Sequence, residues 1–188
     1  MTALGFRRYD AEAALGARDI VEAVFRGSYR KAVEEGGPFD APGAFMARFD
    51  SYARNQLIDL VVAFHDGEPA GQAWGWPLTA GNRWWEGLAS EPEPGFTTED
   101  GTRTFAFSEI MTAGGHTGRG VARALHDELL RGRHEQRATL LVRPANTTAC
   151  AAYARWGWQT VAKLRPHWAG APLFDVLVLP LPRGSATG

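Results

Sequence analysis

Across 188 residues, 20 lysines and arginines nearly cancel 21 aspartates and glutamates, so the chain has neither the basic footprint of a nucleic-acid binder nor a charge that draws it to a membrane surface. The length suits one domain with a sizeable core, no apolar run approaches the ~20 residues of a membrane span, and the opening MTALGFRRYD lacks a signal peptide's apolar stretch. The single cysteine, Cys150, excludes an intrachain disulfide and suits a reducing compartment, so the cytoplasm is the expected location.

In chain order, Leu4 to Tyr9 reads as a short first strand. Ala11 to Val33 is a helix with Ile20, Val24 and Phe25 on one face, stopped by Gly36, Gly37 and Pro38. Pro42 to Gln56 is a second helix, with Pro42 in its first turn and Phe45, Phe49 and Tyr52 at helical spacing. Ile58 to Phe64, a turn at His65-Asp66-Gly67-Glu68, and Pro69 to Trp76 form a hairpin. Pro77 to Arg103, rich in Gly, Pro, Thr and Glu, is expected to be a long loop of the kind that is functional or mobile.

The organising stretch follows. Phe105 to Met111 is a largely buried strand, and Ala113 to Gly120 holds four glycines. From Gly120 the spacing of Val121, Leu125 and Leu129 is helical. Open glycines before a helix start expose unpaired N–H groups at the positive end of the dipole, which is a phosphate site. No Lys-Ser/Thr pair follows the last glycine, so this is no ATP P-loop, and no full Gly-x-Gly-x-x-Gly opens the helix as a dinucleotide fold requires. Ala138 to Val142 is another buried strand. Asn146 to Trp156 is a short helix, Gln159 to Leu164 and Leu173 to Leu179 are the last strands, and residues 183–188 are a frayed tail. The order is mixed α/β with a partly antiparallel sheet.

At Thr117-Gly118-Arg119-Gly120-Val121-Ala122 the chain resembles the GNAT superfamily of acyl-CoA-dependent N-acyltransferases, whose phosphate loop reads Gln or Arg, two residues, Gly, one residue, then Gly or Ala. Thr117 departs at the first position. A second family feature, an Asn, a short helix and a Tyr, is present as Asn146 and Tyr153 in NTTACAAYARWGW. The resemblance covers roughly Phe105 to Leu179. It implies a single α/β domain over 1–188, with a central mixed, mostly antiparallel twisted sheet of six to seven strands flanked by about four helices. The high Ala, Gly, Arg and Trp usage fits an actinobacterial-type member.

The resemblance also implies acetyl-CoA as co-substrate. Its pyrophosphate would lie against Thr117, Gly118, Arg119, Gly120, Val121, Ala122 and Arg123, with both arginines adding charge, and its pantetheine arm along Ile110, Met111 and Thr112. Asn146 is a helix N-cap, a cofactor ligand, or both. Acyl transfer needs a neutral amine, an oxyanion stabiliser and a proton for the departing thiolate. Tyr153, about 10 Å along a helix from Asn146, is the candidate acid; the alternative is a core aromatic sharing a face with Ala149 and Trp156. Glu109, an acid in an apolar strand, is the candidate base, because burial raises a carboxyl toward working pH. It is otherwise a solvated ion pair or a structural acid holding Arg103 or Arg143. His116 is a rival titrating group expected to point to solvent, and Cys150 is small packing rather than a nucleophile, so transfer is direct. No His, Cys and acid cluster has metal-ligand spacing.

For the acceptor, Trp74 and Trp76 share a strand face, and with Phe25, Tyr29, Trp84, Trp85 and Trp168 they offer aromatic surface for a flat, apolar or cationic amine. Glu86 either attracts the amine or is solvated. The expected partner is a small-molecule amine acceptor, with neither nucleic acid nor membrane involved, and the chain is a monomer or homodimer. The competing readings are a CoA-binding sensor without turnover and a binder of nucleotide phosphates.

Overall fold

The computed structural model describes residues 4–28, 41–54 and 57–182. Its strands are β1 (Gly5–Tyr9), β2 (Asp59–His65), β3 (Glu68–Pro77), β4 (Thr104–Thr112), β5 (Arg137–Val142), β6 (Gln159–Leu164) and β7 (Phe174–Pro180). They form one sheet in the order β1-β2-β3-β4-β5-β7-β6. The β4–β5 pair is parallel, and β1–β2, β2–β3, β5–β7 and β6–β7 are antiparallel. The expected mixed sheet is present. By its contacts the chain divides into two compact units, Met1–Trp76 with Glu109–Arg131, and Pro77–Ser108 with Gly132–Gly188.

In the first unit, β2 and β3 meet at Asp66 and Gly67, with φ of 53° and 84°. Two central residues at positive φ make the mirror-image turn whose twist matches that of the strands it joins. Asp10 caps α1 (Ala11–Ala14), its Oδ1 accepting from the Ala13 N–H at 3.0 Å. The expected continuous helix from Ala11 is interrupted: a 3-10 turn at Leu15–Ala17 precedes α2 (Arg18–Ser28), and the remainder of that expectation lies outside the described residues. Helix α3 (Pro42–Ala53) begins on Pro42, where a missing N–H costs no helical bond.

Helices α2 and α3 cover one face of the hairpin. Val21, Val24, Phe25, Phe45, Phe49, Leu60, Val62 and Trp74 are almost wholly buried there, each apolar side chain of this size contributing roughly 1.5–3 kcal/mol relative to exposure. Helix α4 (Val121–Leu130) buries Val121, Leu125 and Leu129. At Gly71 a Cβ would come within 2.7 Å of the Met111 carbonyl oxygen and 2.9 Å of Leu125 Cδ1, so a side chain is excluded by close packing. Because alternate residues of a strand face opposite ways, Gly71 turns toward α4 while Gln72, Trp74 and Trp76 turn toward α2 and α3.

In the second unit, the 77–103 segment is irregular but tied down. Leu78 N–H donates to Thr104 O at 2.8 Å, Ala89 N–H to Lys163 O at 2.9 Å and Arg165 N–H to Gly87 O at 3.0 Å, while Leu88 bridges Leu164. The Arg137 guanidinium stacks over the Phe96 ring at 4.2 Å and donates to the Phe96 carbonyl and to Glu99. Helix α5 (Thr147–Arg155) is followed by Gly157 at φ 93°. Beyond β7, Leu181 is buried and donates to Gln136 O at 3.0 Å, and residues 183–188 lie outside the described residues.

Candidate acyl-transfer site

The glycine turn has the geometry an anion cradle needs. Gly118 and Gly120 sit at φ 77° and 79°, and no atom of the described residues lies within 4 Å of a Cβ built at either, so backbone N–H groups are approachable. Residues 117–120 are exposed. Gly120 is the N-cap of α4, and no side chain of the described residues caps that helix start. Of the two arginines expected to add charge, Arg123 is committed elsewhere: its Nε donates to Asp127 Oδ2 at 2.7 Å, one turn along α4. The other Asp127 oxygen lies 2.8 Å from Nδ1 of buried His126, whose imidazole is held below its usual range by burial. Arg119 is exposed and stands in the turn itself.

His116, expected to point to solvent, is instead half-buried, with its ring centroid 5.4 Å from that of His65. Just past β4, Ala113 N–H donates to Ala70 O at 2.9 Å. By strand alternation the backbone groups of Ile110 and Thr112 therefore turn away from β3. Met111 is buried, and its Sδ accepts from Gln72 Nε2 at 3.2 Å.

That contact fixes which face Glu109 occupies. Two residues before Met111, it shares the face of Gln72, Trp74 and Trp76, beneath α3. Burial pushes the Glu109 carboxyl up to about 7, against the opposing pull of the Arg48 cation and the Ile110 N–H. The same Arg48 charge reaches Tyr52, whose phenol is pushed up by burial. Arg48 and Tyr52 are one turn apart on α3, on the side that carries Phe45 and Phe49. Tyr52 packs on Trp76 with ring centroids 4.7 Å apart. Sequence reasoning took Tyr52 only as a core position and passed over Arg48. The signal available was its spacing, three residues from Phe45 and four from Tyr52.

Arg103, an expected partner for Glu109, is spent on the carbonyls of Gly95 and Thr98. Of the proposed acceptor aromatics in this unit, Phe25 stacks on Phe45 at 4.0 Å and Trp74 is wedged between Phe45 and Phe49, both as core. Trp76 is partly exposed, and Tyr29 lies outside the described residues.

In the second unit, Asn146 caps α5 by accepting from the Ala149 N–H at 3.2 Å. Tyr153 is 9% exposed, edge-on to Trp156 and Trp158 at 5.6 and 6.0 Å. Trp85 is buried and donates its ring N–H to Glu99, Trp84 is half-buried, and Trp168 is exposed. Glu86 is paired with Arg83 at 2.7 and 2.8 Å. Cys150 is half-buried, its thiol 3.7 Å from the Arg143 carbonyl.

Among the described residues no helix is long and apolar enough to cross a membrane. No curated protein matches the sequence significantly. Solved structures match the fold. An acetyltransferase from Thermus thermophilus has a TM-score of 0.63 at 16% identity, covering 96% of this chain and 100% of that one. The ribosomal-protein-S18-alanine N-acetyltransferase of Escherichia coli has 0.63 at 13%, covering 99% of each. The PaiA N-acetyltransferase of Thermoplasma acidophilum, in complex with coenzyme A, has 0.54 at 10%, covering 95% and 99%. The profile of the acetyltransferase (GNAT) family matches residues 25–158. With the glycine turn opening α4 and the mixed sheet around β4, that match identifies the chain as a member of the GNAT acetyltransferase family and an acyl-transferring enzyme.

Proposed function

We propose that this chain, as one domain, acetylates a primary amine of a small molecule by direct transfer, with Glu109 as general base and Tyr153 as general acid. The observation that carries this reading is the Glu109 carboxyl, held near neutrality by burial beneath α3 on the strand that leads into the glycine turn. A base with its pKa near the working pH is available in the ionised form and still able to take a proton.

Acetyl-CoA, the co-substrate of the family, supplies the acetyl group as a thioester, whose C–S bond breaks as the amide C–N bond forms. The open turn fits its phosphates: Gly118, Gly120 and the first N–H groups of α4 would hold the pyrophosphate, with Arg119 as the nearby cation. Ile110 and Thr112 offer backbone groups to an extended pantetheine, and Asn146 adds a contact besides its cap. Glu109 takes the proton that the amine sheds, directly or through one water. The Tyr153 hydroxyl donates the proton that leaves on the thiol. Trp76 with Tyr52 lines the acceptor side. The chain acts as a monomer or homodimer without nucleic acid. Its Ala, Gly, Arg and Trp usage is the support for an actinobacterial-type origin.

Release of free thiol from acetyl-CoA across an amine panel tests this. Amine-dependent thiol that is lost in Glu109→Gln supports it, and CoA binding with no amine-dependent thiol overturns it in favour of a sensor.

A further inference from the structure

Gln72 and Trp74 carry polar atoms of opposite kind in the core of the first unit. Both side chains are almost wholly buried on the face of β3 that α2 and α3 cover. Gln72 Nε2 donates to the Val21 carbonyl at 3.1 Å and to Met111 Sδ at 3.2 Å. A carbonyl only accepts, so the Val21 contact fixes which way round the amide sits and leaves Oε1 as its open atom. Gln72 Oε1 and Trp74 Nε1 have no hydrogen-bond partner among the described residues. A buried indole N–H ordinarily finds an acceptor, and buried polar atoms without partners are rare in a purely structural core.

Strand register brings a carboxyl to these atoms. Strands β3 and β4 are neighbours in the sheet. Ala70 meets Ala113 through a backbone bond of 2.9 Å, and Gln72 meets Met111 at 3.2 Å. One position rises along β3 as the other falls along β4, so the next position on that face sets Trp74 across from Glu109. Opposed residues hold their Cβ atoms about 4.5–5.5 Å apart, and diagonal ones, as Gln72 and Glu109 are, stay within reach of long side chains.

We propose that Gln72 and Trp74 are positioning residues for Glu109: the Trp74 N–H holds it as a carboxylate and the Gln72 carbonyl oxygen holds it as an acid, each directly or through one water. The proposal rests on the acyl-transfer reading for what Glu109 does, and adds how both of its protonation states are kept in place.

A general base has to occupy one position in two forms. The carboxylate only accepts hydrogen bonds, whereas the acid has an O–H to donate. A buried site with donors alone favours the ionised form, and one with acceptors alone favours the acid. A donor and an acceptor two residues apart on one face of β3 serve both forms without moving a strand. Bulk between Phe45 and Phe49 accounts for the Trp74 ring but not for a pair of opposite polarity across from a carboxyl. The charged and titratable groups that reach Glu109 are the Arg48 cation and the Tyr52 phenol of α3, while α2 and β2 present Val21, Val24, Phe25, Leu60 and Val62. Burial pushes the Tyr52 phenol up, so it does not titrate alongside Glu109.

The test reads the protonation of Glu109 separately from turnover. Infrared difference spectra across its titration, the natural protein against Glu109→Gln, isolate the carboxyl band, and kcat/KM with acetyl-CoA gives the rate limb. Trp74 is replaced by phenylalanine and, in the full chain, by 3-benzothienylalanine, which keeps the two-ring shape without the N–H. Losing a donor to the ionised form should raise the titration midpoint by about one pH unit or more in both. Gln72→Met, which keeps most of the volume and removes the acceptor, should lower it by about half a pH unit or more. Opposite directions are the signature, because loosening the face admits water and moves both variants the same way. An unmoved midpoint in the benzothienylalanine chain, or movement of both variants in one direction, would overturn the proposal. Should Gln72→Met not fold, the natural protein decides that half. An acid C=O band at the lower frequency of a carboxyl that donates its O–H supports it, and one at the frequency of an unbonded acid overturns it. The two readings fail separately. Midpoints that move as expected with no matching limb in kcat/KM remove Glu109 as the base but keep the positioning. A limb that ignores both Trp74 and Gln72 keeps the base and removes the positioning.

Discussion

Gln72 Nε2 donates to Met111 Sδ at 3.2 Å and to the Val21 carbonyl at 3.1 Å, so one buried amide joins β3, β4 and α2. It sets the face of β4 that places Glu109 beneath α3. Gln72→Ala would leave the Val21 carbonyl without this donor and open a void in a tightly packed layer. It should destabilise the protein by about 2–4 kcal/mol, read as a lower urea midpoint at unchanged slope. Turnover should fall further than stability alone requires, because the Glu109 row loses its tie.

Glu109 couples activity and stability in opposite directions. Its folded carboxyl is raised from about 4.5 to about 7, so between those values the folded state binds more protons than the unfolded one. Stability is therefore greatest below the unfolded pKa and declines as pH rises through the folded one. At about pH 8 the ionised carboxylate costs of order 3 kcal/mol that Glu109→Gln avoids. The variant should melt higher than the natural protein at that pH, and the two curves should converge near pH 5. Over the same range the natural enzyme's kcat/KM should rise through a limb near 7, and the variant should lack that limb. A variant that melts lower at alkaline pH would contradict the desolvation argument.

Much of the fold was legible because local chemistry and packing agree. Asp66-Gly67 demanded one kind of turn and received it, and the change from strand to helical spacing after Gly120 marks the start of α4. The break at Leu15–Ala17 was not legible, since a 3-10 turn keeps nearly the same apolar face as the helix it interrupts. Arg48, whose charge reaches Glu109, is not singled out by the sequence, because an arginine on a helix reads as solvated. The Arg123–Asp127 pair was visible in its one-turn spacing, but the expectation that the arginine faces phosphate obscured it. The acceptor aromatics divided for a similar reason: spacing marks Phe25 and Trp74 as buried without telling core from pocket wall.

The turn itself can be tested without disturbing the core. Gly118 and Gly120 hold positive φ, and among the described residues nothing lies close to a Cβ at either site. Alanine there meets no clash but must adopt a left-handed conformation costing about 1–2 kcal/mol, or else let the turn rearrange. Gly118→Ala and Gly120→Ala should each lower CoA affinity about tenfold or more with only a modest drop in Tm. Gly71→Ala, which meets the Met111 carbonyl at 2.7 Å, should do the opposite, unfolding the protein well before it alters CoA affinity.

Tyr153→Phe separates acid chemistry from packing. The Tyr153 ring is buried edge-on to Trp156 and Trp158, and phenylalanine keeps that surface, so the fold should stay within about 1 kcal/mol of the natural protein. What the substitution removes is the hydroxyl. If that group protonates the departing thiolate, kcat should fall severalfold or more while CoA binding holds. The loss should shrink for acyl donors whose leaving group is a weaker base, since these need less proton assistance. An equal loss for good and poor leaving groups would point to packing and remove Tyr153 from the chemistry. Unchanged turnover would do the same, leaving Glu109 to act with a proton supplied from solvent.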